Sequence, residues 1–344
     1  MAVATAENSA PPAARRLTLY PGWVVLAAVA LPFALGAEMS LAYQYLPLVA
    51  SVLLLGLPHG AVDHLLLPRA RGEALSARWL ALVGLVYLVV GLLYLVVWFL
   101  SPALAFALFI LLTLAHWGQG DLYPLVALHE TTHLRTTTDR ALAVLVRGSM
   151  PMLVPLVAFP AEYAFVAGTL VGLFDPAAAE TLAPAFTPEA RLLVAGVLVT
   201  LVLSHLVSGY RRAGGTRAWR VDVGETAGLL AFFSVVPPVL AVGLYFCLWH
   251  SLRHITRVAL LDAESSRSLS AGLTRPALSR FARDAAPLTA LSLVLFLALY
   301  ALVPATPVTT PELVALYLVF IAALTAPHVL FVTWLDREQG LWSG

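Results

Sequence analysis

From Trp79 to Leu100 the chain runs 22 residues without one charged side chain. A helix of about 20 apolar residues crosses the hydrocarbon core of a bilayer. Inside that core every backbone N–H and C=O must be paired within the segment, so a helix or a closed barrel is the only spanning form. Similar runs recur at 20–37, 41–58, 103–120, 141–159, 190–210, 285–303 and 313–335, and two shorter ones cover 223–236 and 239–260. The composition agrees: 60% of the residues are hydrophobic and 11% are charged, against about 25% charged in a soluble domain. The fold class expected is all-α, a polytopic transmembrane bundle of about 8–10 membrane helices. Residues 1–19, Ala/Pro-rich and polar, read as a disordered tail. Residues 20–335 read as a single membrane-embedded catalytic domain, and 336–344 as a C-terminal tail.

The same composition removes whole classes of chemistry. The net charge is +1 and no basic footprint for nucleic acid is visible. All 20 basic residues are arginine, so a lysine Schiff base, and with it a retinal-binding opsin, is excluded. The single cysteine, Cys247, excludes an internal disulfide, a cysteine zinc site and an iron–sulfur cluster. Cys247 itself reads as a small apolar packing residue. Metal chemistry in this chain rests on histidine and carboxylate.

Arginine placement gives the expected orientation. Arg15 and Arg16, Arg69 to Arg78, Arg135 and Arg140, and Arg211 to Arg220 fall on the inner side, while the acidic loop 160–190 falls outside. Both termini are then cytoplasmic and the protein sits in the cell (inner) membrane. Residues 161–174 read as a re-entrant or surface helix. Residues 221–261 read as a hairpin of two short helices turning at Pro237-Pro238, with a second basic stretch starting at Arg253. Residues 262–284 read as a cytoplasmic segment.

Under this topology several histidines reach one depth. His250 and His254 are four apart, which on a helix sets both rings on one face, the spacing by which a helix offers two nitrogens to one ion. Leu57-Pro-His-Gly-Ala-Val-Asp-His64 and Ala115-His-Trp-Gly-Gln-Gly-Asp121 close two other spans at the same end. His59 and His64 are about 140° apart on a regular helix, so His59 is taken as the ligand. The metal set is therefore His59, His116, His250 and His254. Asp63, His64, Asp121 and His328 are expected around it, with Asp63 accepting from a ligand N–H group, while Asp121 is off the His116 face unless Gly118 or Gly120 bends the chain. Neutral imidazoles suit iron, copper, nickel or zinc. Trp117, Tyr245, Phe246 and Trp249 are expected to line an apolar slot. His205 reads as bonding a neighbour, and His129 and His133 read as surface residues in a polar loop.

These motifs together resemble the Brp/Blh family of membrane β-carotene 15,15′-dioxygenases. The resemblance rests on Pro-His-Gly-Ala-Val-Asp-His at 58–64, His-Trp-Gly-Gln-Gly-Asp at 116–121, Trp-His-Ser-Leu-Arg-His at 249–254 and Pro-His at 327–328, and covers roughly residues 20–335. It implies a non-haem Fe(2+) held by four histidines, which fall on His59, His116, His250 and His254. It further implies O₂ and β-carotene as substrates, two retinals as products, a membrane-dissolved substrate, and a functional link to a retinal-binding rhodopsin. Two other readings stay open. A di-iron membrane desaturase or hydroxylase would use more histidines, including adjacent pairs. A proton-coupled transporter would rest on Asp222, Glu225 and His205.

Overall fold

The computed structural model describes residues 10–343, and every described element is helical. In chain order the helices are α1 (Pro12–Ala34), the broken segment α2 (Leu41–Arg71), α3 (Ala77–Leu100), α4 (Pro102–Leu128) and α5 (Thr137–Ala158). Then follow α6 (Pro160–Gly172), α7 (Pro188–Ala213), α8 (Arg217–Val235), α9 (238–261), α10 (Ala263–Ser270), α11 (Thr274–Leu302) and α12 (Thr310–Glu338). Eight of them, α1 to α5 with α7, α11 and α12, are long and apolar enough to cross a membrane. The chain is a multi-pass membrane protein.

The apolar side chains divide between lipid and core. On α3, Leu85, Leu88, Leu92 and Leu93 are exposed, a leucine face that costs little only against hydrocarbon. On α12, Val319, Ala322, Val332 and Leu335 are fully buried. The core lies between α4, α5, α9 and α12. The helix starts are set by ordinary chemistry. Thr136 and Asp139 form a reciprocal capping box on α5, and Thr309 and Glu312 do the same on α12.

Several expected boundaries move. Residues 12–19, assigned to a disordered tail, are the first turns of α1, while residues 1–9 lie outside the described residues. The C-terminal tail is also shorter. α12 runs on to Glu338, and Asp336 is completely buried. The span at 41–58 is not one helix. It breaks after Ser51 and restarts at Gly56, through Leu55 at φ 53°. That backbone is strained for a branched side chain.

The hairpin at 221–261 is present. Glu225 on α8 and Arg253 on α9 are 28 residues apart in sequence, about 42 Å along one continuous helix. Their side chains nevertheless meet at 2.5 Å, so the arms fold back at Pro237. Helix α6, with 13 residues, is about 20 Å long, short of the roughly 30 Å a span requires.

Helices α4 and α5 touch backbone to backbone. A Cβ on Gly118 would overlap the carbonyl of Val144, and one on Gly148 would overlap that of Leu114. This contact sets the height of the α4 turn carrying His116. Gly148→Ala is expected to push the pair apart at a cost of about 1–3 kcal/mol or more. The measurable result is a lowered melting temperature in detergent. Gly196→Ala, with nothing within 4 Å, should leave it unchanged.

Candidate metal centre

Five imidazoles from four helical segments gather in one buried cluster, with His59 in contact with the other four. His59 comes from the restart of α2, His116 from α4, His250 and His254 from α9, and His328 from α12. All five are buried, at 7% exposure or less. The His59 ring centroid lies 5.3 Å from those of His250 and His328, 5.5 Å from His254 and 6.4 Å from His116. His116 and His328 are 4.7 Å apart and His254 and His328 are 5.1 Å apart.

The local backbone explains how each ring arrives. Residues Tyr245–Ser251 within α9 form a π-helical stretch, and His254 follows in regular α-helix. The pair is therefore not carried by one regular turn, as the four-residue spacing implied, but across a change of pitch. Room for His250 comes from Gly120, where a Cβ would sit 2.8 Å from its Nδ1.

Hydrogen bonds fix some of the ring faces. His59 Nδ1 donates to the carbonyl oxygen of Gly56, with Ser251 Oγ 3.3 Å away, so its Nε2 carries the lone pair. His328 Nδ1 lies 2.8 and 2.9 Å from the two oxygens of Asp63, and Tyr87 donates to the same carboxylate at 2.6 Å.

The donor set fits a metal ion. The Nε2 atoms of His116 and His250 are 3.0 Å apart. Two neutral rings at that distance either share a proton or share an ion. Nitrogens bound at about 2.0–2.1 Å to one ion sit about 3 Å apart when at right angles. His254 Nε2 and His328 Nε2 are buried with no hydrogen-bond partner. Orphaned polar atoms at that density are rare without a missing ligand. Ligating atoms of His59, His116 and His328 lie within 4.8 Å of one another, as do those of Asp63, His254 and His328.

An apolar cavity opens from His59 and His116. Trp117, Phe246, Phe106 and Ile110 wall it, together with Tyr163 and Val166 of α6.

Comparison with known proteins identifies the lineage. The family described as Beta-carotene 15,15'-dioxygenase matches residues 50–336. A probable beta-carotene 15,15'-dioxygenase Blh of Halobacterium salinarum is 45% identical, over 95% of this chain and 94% of its own. A probable beta-carotene 15,15'-dioxygenase Brp of the same species is 33% identical, over 96% of both chains. The chain belongs to the beta-carotene 15,15'-dioxygenase family. No solved structure matches it.

In this family member not all the outlying residues stand where the sequence put them. Asp63 does accept from an imidazole, but from His328 rather than His59. Asp121 touches no histidine. It accepts from Trp249 Nε1 at 2.9 Å and from Arg253 at 3.1 Å. His64 is buried with its Nδ1 unpartnered. Of the four aromatics expected along the slot, Trp117 and Phe246 line the cavity. Tyr245 packs behind Trp117 at 5.0 Å, and Trp249 lies under the Arg253 guanidinium at 3.9 Å. His133 is not on the surface. It and His205 both bond Asp222 Oδ2, at 2.8 and 2.9 Å.

A buried ionic lattice, absent from the sequence reading, holds the histidine-bearing helices together. Arg253, between His250 and His254, pairs with Glu225 and Asp121. Arg147 of α5 pairs with Asp222 at 2.8 Å and Glu225 at 3.0 Å. Arg257 pairs with Asp336 at 2.7 Å, and Gln119 donates to the same carboxylate. Sequence had offered a signal: Asp222 and Glu225 sit in an apolar segment, where a charge demands a partner. The basic stretch starting at Arg253 has the sequence character of a cytoplasmic flank, yet Arg253 and Arg257 are both buried. Breaking a fully buried pair from one side costs about 3–5 kcal/mol. Arg147→Met is expected to reduce the yield of folded protein sharply, read as loss of the monodisperse peak in size-exclusion chromatography. Arg211→Met, on the exposed end of α7, should leave that peak intact.

Proposed function

We propose that this chain cleaves the central double bond of β-carotene with O₂, giving two molecules of all-trans-retinal. One carbon–carbon double bond and one O₂ are consumed and two aldehydes form, so the reaction balances with no other reductant. The observation that carries the reading is the convergence of the buried imidazoles at the end of an apolar cavity. The names of the Halobacterium salinarum relatives point the same way.

His59, His116, His250 and His254 would hold Fe(2+). Bound there, the ion supplies the binding and activation of O₂. The protein's own residues do the rest. Neutral rings on an apolar wall keep water out of the site. Trp117 and Phe246 line the path that a conjugated chain would take. An apolar polyene offers no polar handle, so the shape of the cavity selects the bond. The substrate enters from membrane lipid, which avoids carrying a hydrocarbon through water. No group is needed as a general base, and nucleic acid plays no part. The cell (inner) membrane, with both termini cytoplasmic, is the proposed setting. A retinal-binding rhodopsin is the natural consumer of the product.

The alternatives fit less well. A di-iron desaturase needs donors for two ions and more histidines, adjacent pairs among them, than the five rings gathered here. It is separated by metal analysis, one iron per chain against two. A proton-coupled transporter would rely on Asp222 and Glu225, which are engaged by Arg147 and Arg253.

Expression in a β-carotene-accumulating bacterium tests the proposal. The native chain should bleach the cells and yield retinal by chromatography. His250→Ala and His116→Ala should leave the cells orange with retinal below detection, while Arg211→Met, on the exposed end of α7, should bleach them. Bleaching by His250→Ala or by His116→Ala would reject the ligand set.

A further inference from the structure

Resting on the metal centre proposed above, we infer that His328 is a fifth nitrogen donor to the same ion, oriented by the Asp63 carboxylate and, behind it, the Tyr87 hydroxyl. Its placement is hard to explain otherwise. The ring lies 4.7 Å from His116, 5.3 Å from His59 and 5.1 Å from His254, at interplanar angles of 69° to 90°. It thus stands inside the cluster, edge-on to its neighbours.

The protonation pattern follows from the partners. An ionised carboxylate only accepts, so the His328 nitrogen within 2.8–2.9 Å of Asp63 is the N–H. The lone pair is then on Nε2. That atom is buried with no hydrogen-bond partner. A lone pair so isolated loses the full desolvation of a polar group unless a cation takes it. Tyr87 donates to Asp63 at 2.6 Å, which holds the carboxylate against α3. A carboxylate behind an imidazole fixes its tautomer and makes it a stronger donor.

The arrangement gives Asp63 a second duty. Histidine rings alone leave a divalent site with its whole positive charge in a low-dielectric interior. Asp63 is the carboxylate hydrogen-bonded to a ring of the cluster, and it compensates that charge through His328 rather than by direct ligation. The acidic residues of the ionic lattice point to arginines.

Cobalt(2+) loaded anaerobically into the purified full-length chain tests this without reference to turnover. Ligand-field bands in the visible spectrum report the donor set, and competition with a chelator reports affinity. His328→Gln is expected to shift the bands. Asp63→Asn is expected to keep a five-nitrogen spectrum but weaken affinity by about 10–100-fold. Tyr87→Phe should weaken it less than Asp63→Asn does. Circular dichroism confirms that each variant is folded, and His205→Gln serves as the spectral control. A folded His328→Gln with native bands and native affinity would overturn the inference while leaving the four-histidine centre standing. Loss of bands in Asp63→Asn as complete as in His59→Ala would show Asp63 to be a direct ligand and overturn it too. Failure of the native chain to take up cobalt or iron would end both readings.

Discussion

Charge cannot be left alone inside a bilayer, and that constraint organises the interior of this protein. Arg147, Arg253 and Arg257 are buried to 2% exposure or less, each within reach of at least one carboxylate. Moving one such group from water without a partner costs far more than folding yields. The pairs therefore form together or not at all. They join α4, α5, α8, α9 and α12, which include three of the four segments that carry the histidines. The restart of α2, which carries His59, is tied in separately through Asp63 and His328.

Placement of the lattice matters more than its net energy. Buried ion pairs stabilise little compared with packed hydrocarbon of the same shape. They do demand a particular register. Arg253 is flanked by His250 and His254, and Gln119 follows His116 by three residues. A slip of either helix by one residue would break the lattice and scatter the rings. Tight α4–α5 packing at Gly118 and Gly148 works in the same direction. The cluster is thus held from behind by groups that never face the cavity, while the cavity itself is lined by carbon.

Much of the site could be read from the chain. Paired motifs at 58–64, 116–121 and 249–254 mark where imidazoles are concentrated at span ends, and those segments do meet. Other elements were misread because their cues are ambiguous one residue at a time. An arginine beside an apolar run usually faces the headgroups, so Arg253 looked like a boundary. His133 sits in a stretch rich in threonine and charge, yet it reaches a buried carboxylate on α8. Trp249 has the look of a slot-lining ring, but its N–H is taken by Asp121. The break at Leu55 falls just ahead of Gly56, Pro58 and Gly60, which mark a break in the region but not the residue that takes it.

Hydropathy alone determined that the chain is a helical membrane protein and where most of its spans lie. Those are local properties, set by the backbone's need for internal hydrogen bonds in hydrocarbon. Which polar residue meets which was decided only by tertiary packing. Asp63 serves His328, 265 residues away, and Glu225 serves Arg253 across a proline turn. Spacing along one helix fixes a direction for each ring, but the distance between rings on separate helices depends on crossing angles, a π-helical stretch and glycine contacts. None of these has a one-dimensional signature.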